Sequence, residues 1–197
     1  AQVRHMNTRE GQFSPIPTAS WWNMIRRNLA FVMTLLPLMA GWAAQQPQIG
    51  WLIKQQNTNT WLVNSFEGDP SARAYTFDQA LAIIAFTEAG RLWNATNLLE
   101  RMKALQVANP PVAGAWCELY YSTNALQSEW KFISGTIAWM VIAINYYEAR
   151  TGDTNYAEAA NRALAYLDTM SINSPGTETN HAVRFSNYAA DENIIST

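Results

Sequence analysis

The chain has 197 residues, 49% apolar and only 14% charged, with a formal net charge of -2. That apolar share supports one domain with a sizeable core and argues against disorder. No Lys/Arg cluster offsets the acidic balance, which speaks against nucleic acid as a partner, while the reliance on Asn, Gln, Ser and Thr for solubility suits a protein outside the cytosol.

Residues 1–23 read as an extended arm. "MNTREGQFSPIPTAS" is polar and carries two prolines that disfavour helix, so its ordering needs a partner surface. Residues 24–45 have the layout of a secretory signal or an anchor: Arg26 and Arg27, an apolar run, then Gly41, Ala43 and Ala44. Residues 29–44 hold no charge over sixteen positions, short of the roughly 20 that span a bilayer unaided. Trp21, Trp22 and Trp42 would suit headgroup depth and membrane contact. A buried helix broken at Pro37 is the competing reading.

From residue 46 to 197 the periodicity predicts a domain of helical hairpins. "PQIGWLIKQQN" places Ile49, Leu52 and Ile53 on one face behind Pro47. "TFDQALAIIAFTEAG" offers Ala80, Leu81, Ile84, Ala85 and Glu88 as a stripe, with Thr76 as N-cap and Gly90 as stop. Leu98, Leu99, Met102 and Leu105 form the next stripe, ended by Pro110 and Pro111. A second hairpin carries Ile137, Met140, Val141, Ile144 and Tyr147, a "TGD" turn, then Tyr156, Ala160, Ala163, Leu164 and Leu167, with Thr154 as cap. Residues 80–85 align with 138–143 at a constant offset of 58, the period of a helical solenoid or a ring of hairpins. Residues 107–134, long and aromatic, are a loop of the kind that carries function.

These residues resemble the six-hairpin glycosidase superfamily. The resemblance lies in "WLIKQQNTNTWLVNSFEGD", "YTFDQALAIIAFTEAG", "SGTIAWMVIAINYYEARTGDTNY" and "GTETN", over about residues 48 to 190. It implies an all-α fold of repeated antiparallel hairpins, part of an (α/α)6 toroid. The sequence offers about five or six helices, fewer than six hairpins require. Where the family's segment continues Glu-His-Asn, this chain reads Glu178, Thr179, Asn180, His181.

Glycoside hydrolysis needs two carboxylates about one bond, roughly 5 Å apart for retention or 6.5 to 9.5 Å for inversion. Asp78 and Glu178 each open an inner helix and would meet at one rim; capping charges in the first helical turn are the plainer account. Glu67 and Asp69 are further cleft carboxylates, or solvated loop charges. Among nine Trp, eight Tyr and seven Phe, the rings expected to stack on a glycan are Trp116, Tyr120, Tyr121, Trp130 and Trp139, with core packing the competing account for Trp139. Cys117 stands alone, so no disulfide closes within the chain, and a lone cysteine reads as a buried apolar residue. His5 and His181 show no metal spacing, and no motif implies a cofactor. Two functions follow: a non-catalytic hairpin subunit of an extracytoplasmic or membrane-associated assembly, contacting other protein subunits, or a glycoside hydrolase or glycan-binding domain acting on a polysaccharide.

Overall fold

The computed structural model describes residues 47–128, 130–171 and 183–187, together with the backbone of 195 and 196. The described residues belong to one unit, Gln45–Thr197. The arm at 1–23 and the apolar segment at 24–45 lie outside the described residues, as does Glu178. No described helix is long and apolar enough to cross a membrane.

Five helices are described: α1 (Pro47–Gln55), α2 (Thr76–Glu88), α3 (Leu92–Leu105), α4 (Ser134–Thr151) and α5 (Ala157–Thr169). Helix α1 starts at the predicted proline and buries Ile49. Helices α2 and α3 form the first hairpin and α4 and α5 the second; Gly90 and Gly152, at φ 67° and 76°, make the turns between them. The most extensive helix contact is between α2 and α4, which pair the first helix of each hairpin. Phe77 meets Trp139 near their N-termini, and Glu88 meets Tyr146 and Arg150 near their C-termini. The two helices therefore run parallel, each with an antiparallel follower.

Burial corrects one predicted stripe. In α2 the core face is Ala80, Ala82, Ile83 and Phe86, while Leu81 and Glu88 are exposed. An apolar helix with little polar contrast gives periodicity little to select between its faces. In α4 the predicted Ile137, Met140, Val141, Ile144 and Tyr147 are all buried. In α5, Ala160 and Ala163 are buried, as is Tyr156 just before it, but Leu164 is exposed. The caps differ too. Thr76 is the first residue of α2, and its hydroxyl donates to the Cys117 carbonyl at 2.5 Å instead of capping; α5 starts after Tyr156, with no side-chain cap from Thr154.

The long connection between the hairpins folds back onto them. Strand β1 (Arg73–Tyr75) pairs antiparallel with β2 (Leu119–Tyr121), in the register Arg73 with Tyr121 and Tyr75 with Leu119. Val112, Ala115, Trp116, Cys117 and Tyr120 from this connection join the same core as the helices. A second ribbon pairs β3 (Val183–Arg184) with β4 (Ile195–Ser196). Gly114, at φ 90°, packs so closely on the second hairpin that a Cβ there would lie 2.2 Å from the backbone oxygen of Arg162.

Gly114→Ala should therefore destabilise the domain by roughly 3 kcal/mol, combining a left-handed backbone penalty with a clash against rigid main chain. Urea unfolding measures it, and a loss below about 1 kcal/mol would show that the connection is not docked on α5.

Candidate functional site

The feature that organises the site is Gln79, fully buried one turn into α2. Its Oε1 accepts from the Val63 amide at 2.7 Å, and its Nε2 donates to the carbonyls of Val63 at 2.9 Å and Tyr75 at 3.1 Å. One side chain thus satisfies both backbone groups of Val63, in the manner of a strand partner. This brings the segment 62–66 against the start of α2; Val63 makes a single bridge to Gln56.

Held in this way, Asn64 and Ser65 line an open groove of about 270 Å³ together with Trp51, Asp78, Leu81 and Ala85. Ser65 Oγ accepts from the Tyr75 amide at 2.8 Å, and Asn64 Oδ1 accepts from the Ser122 hydroxyl. Asp78 stands in the first turn of α2, where the helix dipole favours its charge. Trp51 is 40% exposed, and its indole N–H donates to Glu67 Oε2 at 3.0 Å. The groove thus presents a carboxylate, an amide, a hydroxyl and an indole whose orientation is set by a second carboxylate. Those are the groups that hold a polyhydroxylated ring: an apolar face to stack on, and fixed polar atoms for its hydroxyls.

Asp69 serves the loop. Its carboxylate binds Arg73 Nε at 2.8 Å and accepts from the Ser71 amide at 3.0 Å, and the Arg73 guanidinium lies 5.1 Å from the centre of the Phe66 ring. The hydrogen bond from Arg73, and next the one from Ser71, hold its carboxyl below the ordinary carboxylate value.

The aromatic residues expected to stack on a ligand separate into two groups. Trp116 is fully buried, with Nε1 donating to the Met102 carbonyl at 2.7 Å, and Tyr120 is buried with its hydroxyl accepting from the Cys117 amide at 3.0 Å. Neither presents a face to solvent, because the connection that carries them turns inward. Burial also pushes the Tyr120 hydroxyl far above its ordinary value. Tyr121 is half-buried beside Ser128. Trp130 is 50% exposed and edge-on to Phe132 at 5.0 Å. Trp139 is exposed on α4 and edge-on to Phe77 at 5.5 Å.

Asp78 and Glu67 are therefore brought to the groove or its border, Trp139 stands on the neighbouring inner helix, and Glu178 lies outside the described residues. The sequence reading missed Trp51, Asn64, Ser65 and Gln79. A carboxamide on the buried face of an otherwise apolar helix was the available signal for Gln79, since such a group must find partners. Among the described residues no three His, Cys, Asp or Glu side chains converge as a metal site.

No family model matches the chain, and no curated protein matches it in sequence. Solved structures do match in fold. An unsaturated glucuronyl hydrolase specific for heparin superposes with a TM-score of 0.56 at 12% identity, over 74% of this chain and 42% of that one. An endoglucanase, a family 8 glycosyl hydrolase from Klebsiella pneumoniae, gives 0.53 at 10% identity over 64% and 40%. A sugar epimerase from a ruminal bacterium gives 0.50 at 15% identity over 74% and 40%. The described hairpins thus share the fold of part of these proteins, helical hairpins arranged as in an (α/α)6 toroid. The chain spans about two fifths of the length of the solved structures it matches.

Gln79→Leu leaves the Val63 amide and carbonyl without their partner and should cost roughly 2 to 4 kcal/mol in urea unfolding; Gln79→Glu, which keeps the acceptor but sets a buried carboxylate against two carbonyls, should cost at least as much at neutral pH. Because the folded Asp69 carboxyl titrates below its unfolded value, its contribution is full above the ordinary carboxylate range and is lost as pH falls through the lower folded value. Acidification below about pH 4 should therefore narrow the stability gap between wild type and Asp69→Asn, as read by melting temperature.

Proposed function

We propose that the chain supplies a glycan-binding cleft of the glycoside hydrolase kind, with Asp78 as one of the two carboxylates that flank the scissile bond. The observation that carries this is the placement of Asp78: a carboxylate in the first turn of an inner helix, opening onto a groove that also holds a half-exposed indole and two oriented polar side chains. Trp51 serves as the stacking surface, and Asn64 and Ser65 bind hydroxyls. Two residues compete for the second carboxylate. Glu67 is already beside the groove through Trp51, and Glu178 is the one expected from the sequence at the start of the next hairpin. The substrate on this reading is a polysaccharide, reached outside the cytosol, and residues 24–45 serve as signal or anchor.

A second reading is favoured by one further observation. Leu81 on α2 and Trp139 and Ile142 on α4 are exposed apolar residues on the two inner helices. A face of this kind fits a hairpin domain that docks against other protein subunits of an assembly without performing catalysis.

Release of reducing sugar from soluble β-glucan and xylan by the full chain separates the readings. Asp78→Asn should lower turnover by at least about 1000-fold while the melting temperature stays within a few degrees. Of Glu67→Gln and Glu178→Gln, the one that also abolishes turnover is the second carboxylate. Wild-type protein that binds neither polysaccharide and releases no sugar would remove the hydrolase reading in favour of the subunit.

A further inference from the structure

Trp61, in the loop after α1, has a left-handed backbone at φ 66°. For a bulky side chain this is an outlier that the surroundings must enforce. They do so with several hydrogen bonds. The Trp61 amide donates to the Asn57 carbonyl at 2.8 Å, Gln56 Nε2 donates to the Trp61 carbonyl at 3.0 Å, and Arg101 Nε donates to the Thr60 carbonyl at 2.7 Å. Gln56 is itself locked to α3, with its Oε1 accepting from Asn94 Nδ2 at 2.7 Å. The result places the Trp61 indole edge-to-face with Trp93, ring centres 4.7 Å apart, while Trp93 remains 64% exposed. The same turn seats Leu62 in the core and leaves the Trp93 ring open to solvent.

Beside the pair runs a groove of about 260 Å³, lined by Trp61, Asn97, Glu100, Arg101 and Ala104. Asn97, Glu100 and Arg101 supply an amide, a carboxylate and a guanidinium, so acceptors and donors are both present and the two charges cancel. A rigid aromatic platform bordered by polar groups of no net charge suits a ligand with one apolar face and hydroxyls at its edge. A phosphate or a polyuronate would demand a positive surplus, which this groove lacks.

We propose that Trp93, held at right angles against Trp61, offers its exposed ring as a second carbohydrate contact for a neutral polysaccharide strand, separate from the groove of Asp78. It rests on the carbohydrate reading only for the choice of probe. Its role is attachment to the polymer, with no bond made or broken there.

Native gels cast with hydroxyethyl cellulose or soluble xylan test it on the full chain. The protein should be retarded in at least one, and Trp93→Ala should weaken that retardation about tenfold, equivalent to about 1.4 kcal/mol. Trp93→Tyr should restore most of the retardation. Trp61→Gly, which fits the left-handed backbone, should weaken retardation while the protein stays folded. Asp78→Asn should leave retardation through this platform in place. The proposal is overturned if neither polysaccharide retards the wild type, if Trp93→Ala migrates like wild type, or if Trp93→Ala leaves retardation intact and instead splits an oligomer on size exclusion. Loss of turnover in Asp78→Asn with normal retardation of Trp93→Ala would sink the platform and leave the hydrolase reading standing; the reverse pattern would do the opposite.

Discussion

The groove depends on one buried carboxamide. A loop approaching a helix brings backbone groups that the helix, already bonded along its own ladder, has no means to satisfy. Gln79 resolves this by offering a donor and an acceptor from one side chain to both backbone groups of Val63. Because Val63 is fixed, Asn64 and Ser65 follow at the position where Asp78 begins its helix. The polar content of the cleft is thus set by a residue that never faces it, and it would drift if the loop were held by side-chain packing alone.

The second constraint is the parallel pairing of α2 and α4. Strand β1 leads directly into α2, and its pairing with β2 fixes where the connection starts back across the hairpins. Thr76 and Glu118 join by a backbone hydrogen bond of 2.9 Å, which ties the N-terminus of α2 to the segment that later supplies Phe132 and α4. Both inner helices therefore begin at one end of the domain, where Phe77 meets Trp139. That arrangement is what a ring of hairpins requires of its inner layer, and it agrees with the fold shared with the glucuronyl hydrolase and the endoglucanase.

Much of this was legible in the sequence. The hairpins, their turns at Gly90 and Gly152, and the core stripe of α4 follow from helical period and turn chemistry, which are local properties. The stripe of α2 was misread because Ala, Leu and Ile surround the whole helix, and only its neighbours decide which side is inside. The connection at 107–134 was read as a functional loop because length and aromatic content suggested it; yet Trp116 and Tyr120 are core residues, anchored by partners at Met102 and Cys117. No local pattern distinguishes a ring that stacks on a ligand from one that fills a core. Trp51 and the loop at 63–65 escaped notice for a related reason, since their place beside Asp78 is created by Gln79 across sixteen positions of chain.

The seam between α2 and α4 also has a kinetic meaning. Each hairpin closes through a short turn, so its own contacts can form within microseconds, whereas the seam joins segments such as Glu88 and Tyr146 that lie 58 residues apart. Closing it carries the larger loop entropy, and neither hairpin buries its apolar inner face beforehand. The seam therefore carries the larger entropic cost of folding, and the apolar inner face of α2 has no partner in the growing chain until α4 has been made.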